Sequence, residues 1–248
     1  MILPHVKGKH TFHHQEALSA DGWFARLDPR AKILGVFAFV AVSAFLTNSV
    51  LISASLLASL TLVLVSQIPL SRIAKAYAAA LFFIVFASLS IFLFSGFERG
   101  VEMWARASAC VLALLVLVTG TETYELFAGL RRLKVPSMIT TLLLLTHRYV
   151  ILLSEELSRM KVARSARGFS GGRSLLDRRA FTVLANTAGM LLVRAGARAD
   201  RIYEALRARG FSMEMDVWRV SKMAFADAVF LFTMCAMSAL MLSLQVVA

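Results

Sequence analysis

Five long apolar runs decide what this sequence can fold into. They are residues 33–47 (ILGVFAFVAVSAFLT), 50–65 (VLISASLLASLTLVLV), 76–95 (AYAAALFFIVFASLSIFLFS), 104–119 (WARASACVLALLVLVT) and 224–247 (AFADAVFLFTMCAMSALMLSLQVV). A helix crossing a bilayer needs roughly 17–25 mainly apolar residues, and each run reaches that once its flanks are counted. Inside a bilayer no water satisfies the backbone, so such runs fold as helices. The expected class is all-α: a polytopic membrane protein with about five transmembrane helices. Composition agrees, with 58% hydrophobic and 17% charged residues. Soluble domains carry roughly 45–50% and ~25%. This composition excludes a disordered chain and a collagen-like chain and argues against a soluble globular enzyme.

The chain is also strongly basic, with 27 Lys+Arg against 15 Asp+Glu and a net charge of +12. Of that excess, +9 falls in residues 121–223. Four segments follow: 1–32, a cytoplasmic N-terminal segment; 33–120, a four-span membrane domain; 121–223, a basic cytoplasmic domain of long amphipathic helices; and 224–248, the last transmembrane helix. Orientation comes from the loops. Arg26, Arg30 and Lys32 precede the first span, Arg72 and Lys75 follow the second, and Arg131, Arg132 and Lys134 follow the fourth. The opposite connections hold only Arg99. Positive charge marks the cytoplasmic side, so the N-terminus lies inside and the fourth span returns there.

Two more apolar runs, 138–153 and 180–193, lie inside the basic segment. They are short for spans, and the first contains His147 and Arg148. If both crossed, residues 154–179 would sit outside with seven basic and three acidic residues, against the positive-inside rule. They read as apolar faces of long helices on the cytoplasmic side; a seven-span arrangement is the alternative. The segment divides into helices over 121–133, 137–167 and 175–209. Ser137 is a candidate N-cap, Asp177 lies near the start of the last helix, and Gly168 and Gly210 are candidates for the C′ position.

A five-residue repeat is the most specific local signal. Ala166-Arg167-Gly168-Phe169-Ser170 recurs as Ala208-Arg209-Gly210-Phe211-Ser212, each copy ending a long helix. Glycine suits a left-handed C′ residue, and arginine in the last turn faces the negative end of the helix dipole. Capping would accept Lys or Asn and would not specify Phe. Two identical guanidinium tips point to two equivalent acidic sockets on a twofold partner, because arginine pairs bidentately with carboxylates.

Several motifs are missing from the sequence. It contains no G-x-x-x-x-G-K-[ST] nucleotide loop and no HExxH. Cys110 and Cys235 stand alone in apolar runs and read as small core residues. No cleavable signal sequence is expected, since the first 30 residues hold no apolar h-region. His5, His10, His13 and His14 form no defined ligand set; His13 and His14 are weak metal candidates at most.

The chain resembles the transmembrane (T) component of energy-coupling factor transporters, and within it the CbiQ type of cobalt/nickel importers. The resemblance rests on Leu27-Asp28-Pro29-Arg30-Ala31-Lys32, on the two Ala-Arg-Gly tips and on the run from Arg201 to Phe211. It implies a non-catalytic subunit of an ATP-driven importer in the bacterial cytoplasmic membrane. Two ATPase subunits, which bind ATP and Mg, would each receive one tip: Ala166, Arg167 and Gly168, or Ala208, Arg209 and Gly210. The long helices would also hold a substrate-binding membrane subunit that carries selectivity. Asp28, Pro29 and Arg30 form the signature before the first span. No cofactor and no nucleic acid partner are expected for this chain. The alternatives are a T component of a vitamin importer and an autonomous secondary carrier.

Overall fold

A computed structural model describes residues 23–168, 178–211 and 224–247. Among them are eight helices and no strand: α1 (Pro29–Phe45), α2 (Ser49–Val65), α3 (Leu70–Ser95), α4 (Phe97–Thr119), α5 (Thr123–Arg132), α6 (Ser137–Ala166), α7 (Arg178–Ala208) and α8 (Phe225–Val247). They fall into two compact units, one within Met1–Lys134 and Arg219–Ala248, the other within Val135–Trp218.

The first unit is a helical bundle. Asp28 opens α1 as N-cap, its side chain accepting the Arg30 N–H, with Pro29 in the first turn. Asn48 opens α2 in the same way. Such caps each contribute about 1 kcal/mol. Between α3 and α4 the chain reverses at Gly96, at φ +101°, which glycine adopts without a steric penalty. α4 packs against α1, α2 and α3, and α1 packs against α8 and α5. The Tyr77 hydroxyl reaches Ser108 Oγ at 2.9 Å, pinning α3 to α4. Arg106 donates to the Leu46 carbonyl at the end of α1.

Polarity along the bundle can be traced from end contacts. Asp28, before α1, bonds Asp227 in the first turn of α8, and Gln245 near the end of α8 bonds the Phe45 carbonyl at the end of α1. α1 and α8 therefore run parallel. Gly35 permits their close approach: a Cβ there would stand 3.2 Å from Met234 Cβ. Small residues commonly sit at such helix interfaces in membranes, and Ser43, Ser55, Ser59 and Ser108 are buried here as well. The outward face of α3 is apolar and bare, with Phe82, Phe83, Phe86 and Phe94 exposed, as suits contact with lipid tails.

The protein is a multi-pass membrane protein. Among the described residues, five helices are long and apolar enough to cross a membrane: Leu70–Ser95, Phe97–Thr119, Ser137–Ala166, Ala180–Ala208 and Phe225–Val246. The number agrees with the sequence reading, but the membership differs. Length and composition admit α6 and α7, though with the lowest mean hydropathies of the five, 1.4 and 1.3. They pass over α1 and α2, which have 17 residues each, or roughly 26 Å of helix.

The ends of α5, α6 and α7 match the sequence reading to within three residues, whereas α1, α3 and α4 begin four to seven residues before their apolar runs. One cap differs: α6 starts after Pro136, and Ser137 is its first helical residue rather than its N-cap. Proline pre-sets the extended backbone of the cap position, and no side chain caps this helix. Asp177 lies outside the described residues. α5 packs on α1, where a Cβ on Gly129 would stand 3.0 Å from Ile33 and 3.1 Å from Pro29. The second unit therefore begins after α5.

Candidate functional site

The second unit is built on α6 and α7. Glu156 of α6 binds Arg194 at 3.2 Å and Arg198 at 2.8 Å, and Arg164 Nη1 bonds Thr187 Oγ1 at 3.0 Å. Partners rise along α7 as they fall along α6, so the helices are antiparallel. The end of α6 therefore lies beside the early part of α7, and the end of α7 beside the early part of α6. The two Ala-Arg-Gly tips sit at opposite ends of the pair. α6 has 30 residues, which separates the tips by roughly 40 Å. The structure does not bring Arg167 and Arg209 together.

Each tip is a helix stop of the same construction. Gly168 has φ +82° and Gly210 has φ +62°. The Gly210 N–H bonds the Arg207 carbonyl and the Phe211 N–H bonds the Leu206 carbonyl, both at 3.0 Å. Those two bonds are a complete Schellman motif. Gly168 makes the equivalent first bond to Ser165 at 3.0 Å; Phe169, Ser170 and Ser212 lie outside the described residues. A Cβ on either glycine would meet nothing within 4 Å. Arg167 and Arg209 are exposed and pair with no described residue, whereas Arg164, Arg194 and Arg198 are committed to the contact between the two helices. Among the described residues, folding the unit thus leaves both tip guanidiniums available to an external anion.

A second polar centre lies in the first unit. Asp28 Oδ1 caps Arg30 N–H at 3.0 Å and Asp28 Oδ2 pairs with Arg132 at 3.2 Å. Its own N–H donates to Asp227 Oδ1 at 2.7 Å, and Asp227 Oδ2 accepts the Ala224 N–H at 2.7 Å. The last bond is the returning half of a capping box, since Asp227 is the third residue of α8. Lys32 is fully buried, with Nζ bonded to the Ala25 carbonyl at 3.1 Å and lying 5.1 Å from the centre of the Phe24 ring. Burial pushes the Glu125 carboxyl above its usual range, and the nearby Lys32 charge opposes that.

Of the signature residues, Asp28, Pro29 and Arg30 all fall at this centre. Lys32, Glu125, Arg132 and Asp227 complete it; the sequence reading used Lys32 and Arg132 as orientation charges and Lys32 in the resemblance, and named none of the four as a site residue. The visible signal was Asp227, the only charge in the last apolar run. A charge in such a run marks a site that needs a partner. His13 and His14 lie outside the described residues. Among the described residues, no three His, Cys, Asp or Glu side chains group so as to hold a metal ion.

The sequence model of one family, CbiQ, described as a cobalt transport protein, matches residues 20–218. The cobalt transport protein CbiQ of Rhodobacter capsulatus is 37% identical over 123 residues, which is 49% of this chain and 48% of that protein. The energy-coupling factor transporter transmembrane protein EcfT of Brevibacillus brevis is 30% identical over 226 residues, 81% of this chain and 84% of that protein. Its counterpart in Listeria innocua is 26% identical over 258 residues, 92% of this chain and 96% of that protein. The match to the Rhodobacter protein thus spans about half of its length.

Proposed function

Because the chain belongs to the CbiQ cobalt transport protein family, we propose that it is the transmembrane coupling subunit of an ATP-driven energy-coupling factor importer, carrying cobalt or nickel ions. The observation that supports this most is the pair of exposed arginine tips. They share a positive-φ glycine and its bond back into the last helical turn, have no partner among the described residues and stand at opposite ends of α6 and α7. Two ATPase subunits, which bind ATP and Mg, each take one tip into an acidic groove. Closure of the ATPase pair moves α6 and α7, and these helices reorient a substrate-binding membrane subunit that selects the ion. This chain is non-catalytic; it carries no nucleotide loop.

The test is Arg167→Glu combined with Arg209→Glu. Opposite charge in an acidic groove repels, so the double variant loses co-purification with the ATPases and loses ATP-driven uptake. Wild-type assembly and uptake by the double variant would rule this role out.

A second reading has an observation behind it: the relatives named EcfT align with 81% and 92% of the chain, the cobalt relative with 49%. The chain would then serve a vitamin importer. Uptake of labelled cobalt and nickel by the reconstituted complex separates the two. Uptake by this chain alone, without ATP, would instead establish an autonomous carrier.

A further inference from the structure

The second unit is inserted into the first, leaving it after Lys134 and returning at Arg219. One residue, Asp28, reaches the chain on both sides of that insertion. Its carboxylate holds Arg132, the last residue of α5, at 3.2 Å. Its backbone N–H holds Asp227, in the first turn of α8, at 2.7 Å. Asp227 in turn fixes the start of α8 through the Ala224 N–H. The side chains of Asp28 and Arg132 are 2% and 12% exposed, and Asp227 is 3% exposed, so water competes weakly with these bonds.

From this geometry we infer that Asp28, Arg132 and Asp227 are positioning residues that anchor the inserted unit, clamping its exit and its re-entry to the start of α1. Any force developed in the inserted unit reaches the membrane helices along two covalent connections. A clamp on both turns a displacement of the unit into a displacement of α1 and α8 together. Without it, α5 and the first turn of α8 can yield separately, and the motion dissipates before it reaches the bundle. The inference rests on the reading of the chain as a coupling subunit, but the clamp itself is testable without it.

Asp28→Asn is the informative variant. Asparagine caps a helix as well as aspartate does, so the Arg30 N–H keeps its acceptor, while the charge facing Arg132 is removed. Arg132→Gln removes the other partner. Hydrogen exchange on the purified full chain should rise about tenfold in 123–132 in Asp28→Asn and Arg132→Gln. Segment 224–228, held through the Asp28 backbone N–H, should rise in Asp227→Ala, which removes the acceptor of that bond. Unchanged exchange in both segments overturns the clamp, whatever the protein transports. In the assembled complex, either of the first two variants should keep wild-type co-purification and ATP hydrolysis while uptake falls about tenfold, so that more ATP is spent per ion. The double variant should be no worse than the single ones. Faster exchange with full uptake, or uptake and hydrolysis falling in parallel with the folded amount, overturns the positioning role. A wild-type complex that shows no ATP-driven uptake sinks the proposed function and leaves the exchange result standing.

Discussion

The backbone N–H of Asp28 donates to the Asp227 carboxylate at 2.7 Å, joining residues 199 positions apart. The same carboxylate accepts the Ala224 N–H at 2.7 Å. Asp227→Ala strands two backbone donors at once, the first of them buried. Leaving a buried donor unpaired costs about 1–3 kcal/mol, more where the lost acceptor is charged. We expect Asp227→Ala to lower unfolding stability in detergent by about 3 kcal/mol. Asp227→Asn should cost less, because it keeps one acceptor while setting an amide NH2 against the other donor. Thermal unfolding of both variants gives the order, and equal stability of Asp227→Ala and wild type would contradict it.

Gly35 sets the distance between α1 and α8. A Cβ there stands 3.2 Å from Met234 Cβ and 3.3 Å from the Phe230 ring. Gly35→Ala requires a shift of a few tenths of an ångström. Gly35→Leu must push the helices apart, and overpacking of this kind costs about 1–3 kcal/mol. The same movement should stretch the bond between Gln245 and the Phe45 carbonyl at the far end of the pair. A cysteine pair placed on α1 and α8 should cross-link more slowly in Gly35→Leu than in wild type; equal rates would place the contact elsewhere.

The apolar runs and the glycines made the helices legible. Gly168 and Gly210 marked the ends of α6 and α7, because a left-handed stop has few alternatives to glycine. Asp28-Pro29 marked the start of α1 for a related local reason. The pairing of Asp28 with Arg132 and Asp227 was not legible. Hydrophobic periodicity records which residues are buried, not which helix covers them. Asp227 is a lone charge in an apolar run, and in the structure it holds both the start of its own helix and the start of another. The membrane placement of α6 and α7 was ambiguous for a physical reason: their length and mean hydropathy suit a span, while their charge suits the cytoplasmic side.

The tips offer a contrast between strain and space. A Cβ on Gly168 or Gly210 meets nothing within 4 Å, yet φ is +82° and +62°. A β-branched residue at such an angle is strained by about 1–3 kcal/mol, and asparagine tolerates it far better. Gly168→Val and Gly210→Val should therefore disturb only the helix stops, leaving the unfolding midpoint of the bundle in place and abolishing co-purification with the ATPases. Gly210→Asn should retain it. Loss of binding in Gly210→Asn equal to that in Gly210→Val would mean that the glycine serves something other than the turn.

Glu125 should make stability depend on pH in a direction opposite to that of most carboxylates. Burial raises its pKa from an ordinary value near 4.5, with Lys32 opposing and Glu122 and Asp28 adding to the rise. A raised carboxyl pKa means that the folded state binds this proton more tightly than the unfolded state does. Between the two pKa values the folded chain carries more of the proton, so stability falls as pH rises. The contribution is fully present below the unfolded value and is lost as pH climbs through the folded one. Glu125→Gln has no proton to lose at this position. Relative to that variant, wild type should weaken progressively as pH rises above about 4.5, and the difference should level off once Glu125 is ionised in both states. Unfolding midpoints of the two proteins across this range measure it directly. A difference that grows as pH falls would reverse the sign and show that Lys32 outweighs burial at this carboxyl.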